Sequence, residues 1–376
     1  MENKNDSISY LYAITLIIGT IVGAGILGLP YIFAKAGFLA GILNLVIVGS
    51  AATLMSLYVG EVSLRTKEKH QLAGLAEVYL GKKWKIFMTI FEIFGTYTAV
   101  IAYLIGIGWA LRDIFGFGDP LIFSSIFFVI ASPLVYLGIR RLGQSELLIT
   151  FSKLALVIII CTLLLPYINT NNLNQINPSK ILLPFGLVLF ASLGYSVIPE
   201  VKEILKNNQK KIFSAILIAS IVSLSIYFIF TYTFVGVFGS RVEEIATKAM
   251  IEYKKLGDIF ILLTMITPYL ALSKVVEDVY INDWKLDKRL SWFITAFIPF
   301  IIFVFSNLDF VNLLSISGTY AGGMMGLLTG FITLKARKSK TKPVYIVPGG
   351  NFLIYLTMAV FVSGMLFYSL ILFNIL

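Results

Sequence analysis

Along this chain, apolar positions do not alternate with polar ones at a helical or a strand period. They run on for about 20 residues at a time, and the charges collect between the runs. A run of that length is what an α-helix needs to cross the roughly 30 Å hydrocarbon core of a bilayer. Eleven runs qualify: 9–35, 38–63, 86–111, 120–138, 147–167, 181–199, 212–236, 257–281, 291–306, 310–333 and 351–374. The ninth is short, and Pro299 interrupts it. The pattern predicts an all-α polytopic membrane protein of about eleven transmembrane helices forming a single domain. Two connectors carry structure of their own. Leu72–Leu80 reads as an amphipathic surface helix, and 242–255 as a second segment, of balanced charge, on the other side.

Two runs are interrupted by glycines together with a proline. The first contains GTIVGAGILGLP, with Gly19, Gly23, Gly25, Gly28 and Pro30. Gly19 and Gly23 make the spacing that lets two membrane helices approach closely. The further glycines and the proline exceed what packing asks for. Glycine weakens a helix interior, and Pro30 has no N–H to give the Ile26 carbonyl. An unwound stretch is therefore expected at 23–26. The sixth run, LLPFGLVLFASLGYSVIPE, is interrupted by Gly194 and Pro199. Run one opens the first five spans and run six the second five. Five is odd, so the two halves, 9–167 and 181–333, have opposite orientation, and 351–374 is an added helix. Interrupted helices at matching positions of inverted halves point to a transporter site near the bilayer midplane. Irregular backbone at that depth is tolerated only where it is buried in protein or lines a cavity. Free amides at a half-helix N-terminus suit a carboxylate, and freed carbonyls suit an ammonium or a cation. A site offering both is matched to an α-amino acid.

Composition narrows the alternatives. The chain is 58% hydrophobic and 13% charged, against about 25% charged in soluble domains. Its one histidine, His70, lies in a connector, and its one cysteine, Cys161, lies in an apolar run. That excludes an intrachain disulfide, cysteine metal clusters and histidine-based catalysis. No metal or cofactor is expected, and no enzymatic activity. The net charge of +10 does not point to nucleic acid, because most of the basic residues fall in loops on one side of the membrane. Arg65, Lys67, Lys69, Lys82, Lys83 and Lys85 follow span two, Arg140 and Arg141 span four, and Lys335, Arg337, Lys338, Lys340 and Lys342 span ten. The asymmetry puts the N-terminus in the cytoplasm and, after eleven spans, the C-terminus outside.

Several stretches resemble the amino acid/auxin permease and hydroxy/aromatic amino acid permease branch of the amino acid–polyamine–organocation superfamily. They are GTIVGAGILGLPYIFAKAGF (19–38), LAEVYLGKK (75–83), GLVLFASLGYSVIPEV (186–201), TPYLALSKVVEDVY (267–280) and SGTYAGGMMGLL (317–328). The resemblance implies the leucine-transporter-like fold, with a 5+5 inverted repeat and broken helices one and six. It implies secondary transport of neutral or aromatic L-amino acids across the cell membrane. Carried onto this chain, the amides of Ala24, Gly25 and Ile26, next to Gly23, hold the substrate carboxylate. Carbonyls near Thr20 and Ile21, and at Phe190, Ala191 and Leu193 next to Gly194, receive the ammonium. Tyr97, Thr98 and Tyr103 of span three form pocket wall, and Tyr195 faces the substrate side chain.

Ionisable residues inside spans are functional candidates by default. Glu92 lies in span three and Lys153 in span five, while span eight carries Lys274, Glu277 and Asp278 near its cytoplasmic end, as an ion-pair cluster or gate. The stretch ELLITFSKLALV around Lys153 resembles the fifth span of proton-coupled members of the superfamily. There a lysine amine stands where sodium-coupled relatives bind sodium, between spans one, five and eight. Burial disfavours the charged form of a lysine, so an amine there can load and release a proton. The alternatives are a lysine snorkelling to the interface, a structural pair with Glu92, and sodium coupling through Thr264, Thr267 and Ser273 of span eight. A channel, or an amino-acid sensor that binds without transport, is the remaining reading of another class.

Overall fold

The computed structural model describes residues 4–68, 70–138, 142–282 and 284–372. Lys69, Arg140 and Arg141 of the charge pattern, and residues 373–374 of the last run, lie outside the described residues. The chain is built from helices: α1 (Lys4–Ile21), α2 (Gly25–Ala36), α3 (Phe38–Arg65), α4 (Leu72–Leu80), α5 (Lys82–Phe115), α6 (Pro120–Leu137) and α7 (Leu142–Leu164). There follow α8 (Phe185–Ser192), α9 (Ile198–Ile204), α10 (Ile212–Phe238), α11 (Lys254–Asn282), α12 (Lys288–Phe305), α13 (Phe310–Ile316), α14 (Gly323–Ala336) and α15 (Gly350–Leu372). In hydrocarbon every backbone N–H and C=O needs a partner within the protein, and only helices supply them all along one segment.

Among the described residues, nine helical segments are each long and apolar enough to cross a membrane. Asp6–Ile21 with Gly25–Ala36 makes a tenth, bent by 51°. The run at 310–333 continues through α13, a π-helical stretch at Ser317–Gly322, and α14. Each piece is shorter than a span, and together they take up the tenth apolar run. The protein is a multi-pass membrane protein.

The surface helix Leu72–Leu80 has the predicted bounds and buries Leu72, Ala73, Leu75 and Ala76 on one face. The predicted segment at 242–255 is turns around one short 3₁₀ helix, Ala246–Ala249. Two prolines do not act as expected. Pro299 lies inside the continuous helix α12, and Pro30 inside α2. A proline removes one hydrogen bond, and the remaining ladder with surrounding helices carries the helix past it. Helix ends are set locally. Asp119 caps α6 by accepting the Leu121 amide at 2.7 Å, and Gly116 ends α5 with a left-handed φ of 78°, which glycine adopts without penalty.

At the membrane face shared with the N-terminus, α3, α14 and the segment before α15 are joined by a charge that the sequence pattern did not single out. Glu61 is fully buried. Its Oε1 accepts from Arg65 Nη2 at 3.1 Å and Arg337 Nε at 3.0 Å, and its Oε2 from Arg337 Nη2 at 2.8 Å and the Val347 amide at 3.0 Å. Arg65 also donates to the Thr341 carbonyl at 2.9 Å. Removing the carboxylate leaves two arginines with no counter-charge in a buried site. Glu61→Ala is expected to destabilise the protein by about 3–5 kcal/mol, read as a lower unfolding midpoint in detergent. An unchanged midpoint would show that the cluster contributes little.

Candidate functional site

The site begins with the two interrupted spans. In the first, α1 ends at Ile21 and α2 begins at Gly25, so the break is residues 22–24. That is slightly earlier than the expected 23–26, and Pro30 lies beyond it. In the second, α8 ends at Ser192 and α9 begins at Ile198, with Leu193 and Gly194 outside regular structure and a 3₁₀ turn at Tyr195–Val197.

The two breaks touch because the residues between them are small. A Cβ on Gly25 would stand 2.6 Å from the Cβ of Ala191 and 2.8 Å from its Cα. A Cβ on Gly194 would stand 2.8 Å from Cγ1 of Ile21. Behind α8, Gly186 packs against the Ser315 carbonyl and Gly318 against the Gly186 carbonyl. The π-helical stretch thus presses α8 toward α2.

Unwinding releases both kinds of backbone group. The Gly23 amide turns back to the Ile21 carbonyl at 2.8 Å, the Ile26 amide reaches the Gly23 carbonyl at 3.4 Å, and the Leu27 amide reaches Ala24 at 3.1 Å. Ile26 is therefore already engaged, while among the described residues the Ala24 and Gly25 amides have no backbone hydrogen-bond partner. These two amides open the twelve-residue helix α2 and sit at its positive end. Residues 21–30 are all buried.

The carbonyls set free at the first break are taken by side chains from two other helices. Lys153 of α7 is 3% exposed, and its Nζ donates to the carbonyls of Gly19 and Val22, both at 3.0 Å. The approach depends on Gly19, where a Cβ would run into Oγ1 of Thr150. Thr150 lies three residues before Lys153, on the same face of α7. Lys153 therefore does not extend to the interface. Tyr227 of α10 is fully buried. Its hydroxyl lies 2.5 Å from the Ile21 carbonyl oxygen and 2.7 Å from that of Ala191, so one side chain reaches both breaks. The sequence reading missed Tyr227. The available signal was a phenol within the apolar run of span seven, since a buried hydroxyl in lipid seeks a partner.

The other expected residues divide between the breaks and elsewhere. Thr20 is half-buried and its hydroxyl bonds the Leu16 carbonyl at 2.9 Å. The Phe190 carbonyl accepts the Leu193 amide at 3.4 Å. Tyr103 is buried within electrostatic reach of Tyr227. The Tyr195 hydroxyl is turned to Sδ of Met325 on α14 at 3.0 Å. Thr98 bonds carbonyls of its own helix, Phe94 at 3.0 Å and Gly95 at 2.9 Å. Tyr97 is engaged by α11 and α12 rather than by either break, 3.1 Å from the Tyr280 hydroxyl and 3.0 Å from the Ile294 carbonyl. In span eight, Thr264 donates to Phe260 at 2.9 Å and Thr267 to Leu263 at 3.4 Å, both within α11. Hydroxyls in membrane helices commonly bond backward in this way. Lys274 pairs with Glu277 at 2.5 Å and Asp278 at 2.9 Å.

Residues 6–368 match the tryptophan/tyrosine permease family. The chain is 26% identical to tyrosine-specific transport system 1 of Haemophilus influenzae, over 94% of this chain and 95% of that protein. It is 24% identical to glutamine transporter 2 of Aliivibrio fischeri, over 90% of this chain and 94% of that protein. Among solved structures it is similar to the crystal structure of MhsT in complex with L-phenylalanine. The TM-score is 0.71 at 12% identity, covering 95% of this chain and 98% of that one. The fold is that of the leucine-transporter class.

Proposed function

Because the chain belongs to the tryptophan/tyrosine permease family, we propose that it imports aromatic or other neutral L-amino acids across the cell membrane by proton-coupled alternating access. The observation that carries this reading is the contact of two broken helices at one buried place, with the Ala24 and Gly25 amides on one side and the Ile21 and Ala191 carbonyls on the other. Relatives named for tyrosine and glutamine transport, and a structural neighbour bound to phenylalanine, support this substrate class. The carboxylate sits on the amides at the positive end of α2. The ammonium sits at the carbonyls. Tyr103, Phe190, Leu193 and Tyr195 stand around the side chain.

Lys153 supplies the coupling. As an ammonium it holds the Gly19 and Val22 carbonyls and ties α1 to α7. Loss of its proton removes the charge from both hydrogen bonds, which are roughly twice as strong when one partner is ionised. The tie then loosens and α1 is free to move. The sodium alternative draws on Thr264 and Thr267, whose hydroxyls donate to carbonyls of their own helix. The basic loops face the cytoplasm together with the N-terminus.

The test is uptake of tritiated L-tyrosine, L-tryptophan and L-glutamine by purified protein in proteoliposomes, with an inward proton gradient and no sodium. Accumulation that collapses with the gradient is expected. Accumulation only after sodium is added would replace the proton by sodium, and binding without uptake in either condition would make the protein a sensor.

A further inference from the structure

Tyr227 carries a consequence for recognition that its place as a bridge between helices does not exhaust. Its hydroxyl stands within hydrogen-bond distance of two carbonyl oxygens, Ile21 at 2.5 Å and Ala191 at 2.7 Å. A phenol has one proton to donate. The Ile21 carbonyl already receives the Gly23 amide at 2.8 Å. The Ala191 carbonyl lies at the last turn of α8, where the break removes the helical amide that would have met it. Ala191, whose carbonyl has no helical amide, is therefore the acceptor in greater need of the single proton, since the Ile21 oxygen already has one donor. With the proton on Ala191, the phenol oxygen and the Ile21 oxygen meet lone pair to lone pair, and both residues are buried. The phenol oxygen thus stands against two carbonyl oxygens with one proton to share between them.

We propose that Tyr227 is a specificity-determining residue for the free α-ammonium of the substrate. Its phenol oxygen is the third acceptor beside the Ile21 and Ala191 carbonyls. An α-ammonium brings three N–H donors and a positive charge, which is what these oxygens lack. The phenol keeps its proton on Ala191 and turns its lone pair to an ammonium N–H, and the Ile21 oxygen takes another. A ligand without the amine leaves the contact unrelieved, so it is rejected even if its carboxylate and ring fit. The proposal rests on the amino-acid reading given above and assigns the amine end of that site to a residue of span seven.

The experiment is equilibrium binding to purified protein in detergent, with tritiated L-tyrosine as probe and 3-(4-hydroxyphenyl)propionate, its deaminated analogue, as competitor. In Tyr227→Phe the dissociation constant for L-tyrosine is expected to rise roughly ten- to a hundredfold, the size of one hydrogen bond to a charged group. The constant for the deaminated analogue is expected to stay as it was, so the preference between the two shrinks by the same factor. Equal weakening of both ligands, or of neither, overturns the assignment and leaves Tyr227 a structural pin. Tyr227→Gln keeps a donor and an acceptor at the position and is expected to retain most of the preference. Loss of the preference there also overturns it, including where Tyr227→Phe is not recovered folded. If the unaltered protein binds neither tyrosine, tryptophan nor glutamine, the amino-acid reading itself fails and this inference with it. Tyrosine binding with an unchanged preference in Tyr227→Phe sinks the inference alone.

Discussion

Lys153→Ala protein is expected to show no gradient-driven accumulation of L-tyrosine in proteoliposomes, while still binding it in detergent. The lysine is buried, and its amine spans the carbonyls of Gly19 and Val22 across the first break. Truncation leaves two buried carbonyls without this donor, at about 1–3 kcal/mol each. That weakens the tie between α1 and α7 and removes the titrating group. Lys153→Arg separates these two effects. A guanidinium still donates to both carbonyls but does not deprotonate in a protein. It is expected to restore folding stability without restoring accumulation. A Lys153→Ala protein that accumulated tyrosine to the unaltered level, with a normal dependence on pH, would remove the lysine from the coupling mechanism.

The second large effect is expected at Gly25. A methyl group there would stand 2.6 Å from the Cβ of Ala191 and 2.8 Å from its Cα. Neither is the movable end of a long side chain, so the new atom must separate α2 from α8. Overpacking of this kind costs about 1–3 kcal/mol. Here it falls on the relative position of the two breaks, between which the substrate's charged ends are divided. Gly25→Ala is therefore expected to weaken tyrosine binding about ten- to a hundredfold, and uptake with it. Gly28→Ala is the control one turn along. Its Cβ would meet Cδ2 of Leu187 at 3.0 Å, a side-chain end that can turn aside, and Cγ2 of Val311 at 3.3 Å, which need give by only a few tenths of an ångström, so a smaller effect is expected. Equal effects from the two substitutions would mean that glycine is needed along α2 for general packing and not for the join between breaks.

The features legible in the residues alone are those that depend on local composition and on the solvent. Apolar runs in a bilayer have to be helices, so the spans and the surface helix at Leu72–Leu80 followed from the pattern. Glycine lowers the cost of leaving the helix, so both breaks, near Gly23 and near Gly194, were placed within a few residues. A lone lysine within an apolar run marked itself by its desolvation cost. Tertiary structure decided which freed group meets which partner. Pro30 and Pro299 stay within helices because neighbours hold the chain there. Tyr97 turns to Tyr280 and Ile294, and Thr264 and Thr267 turn back on α11. Glu61 finds two arginines, one of them 276 positions along the chain. Tyr227, 36 positions from one break and 206 from the other, joins them with a single oxygen. The physical reason is the same in each case. A backbone group or charge in hydrocarbon must be satisfied by something, and the residue types say that it must. Only the packing of helices far apart in the chain says by what.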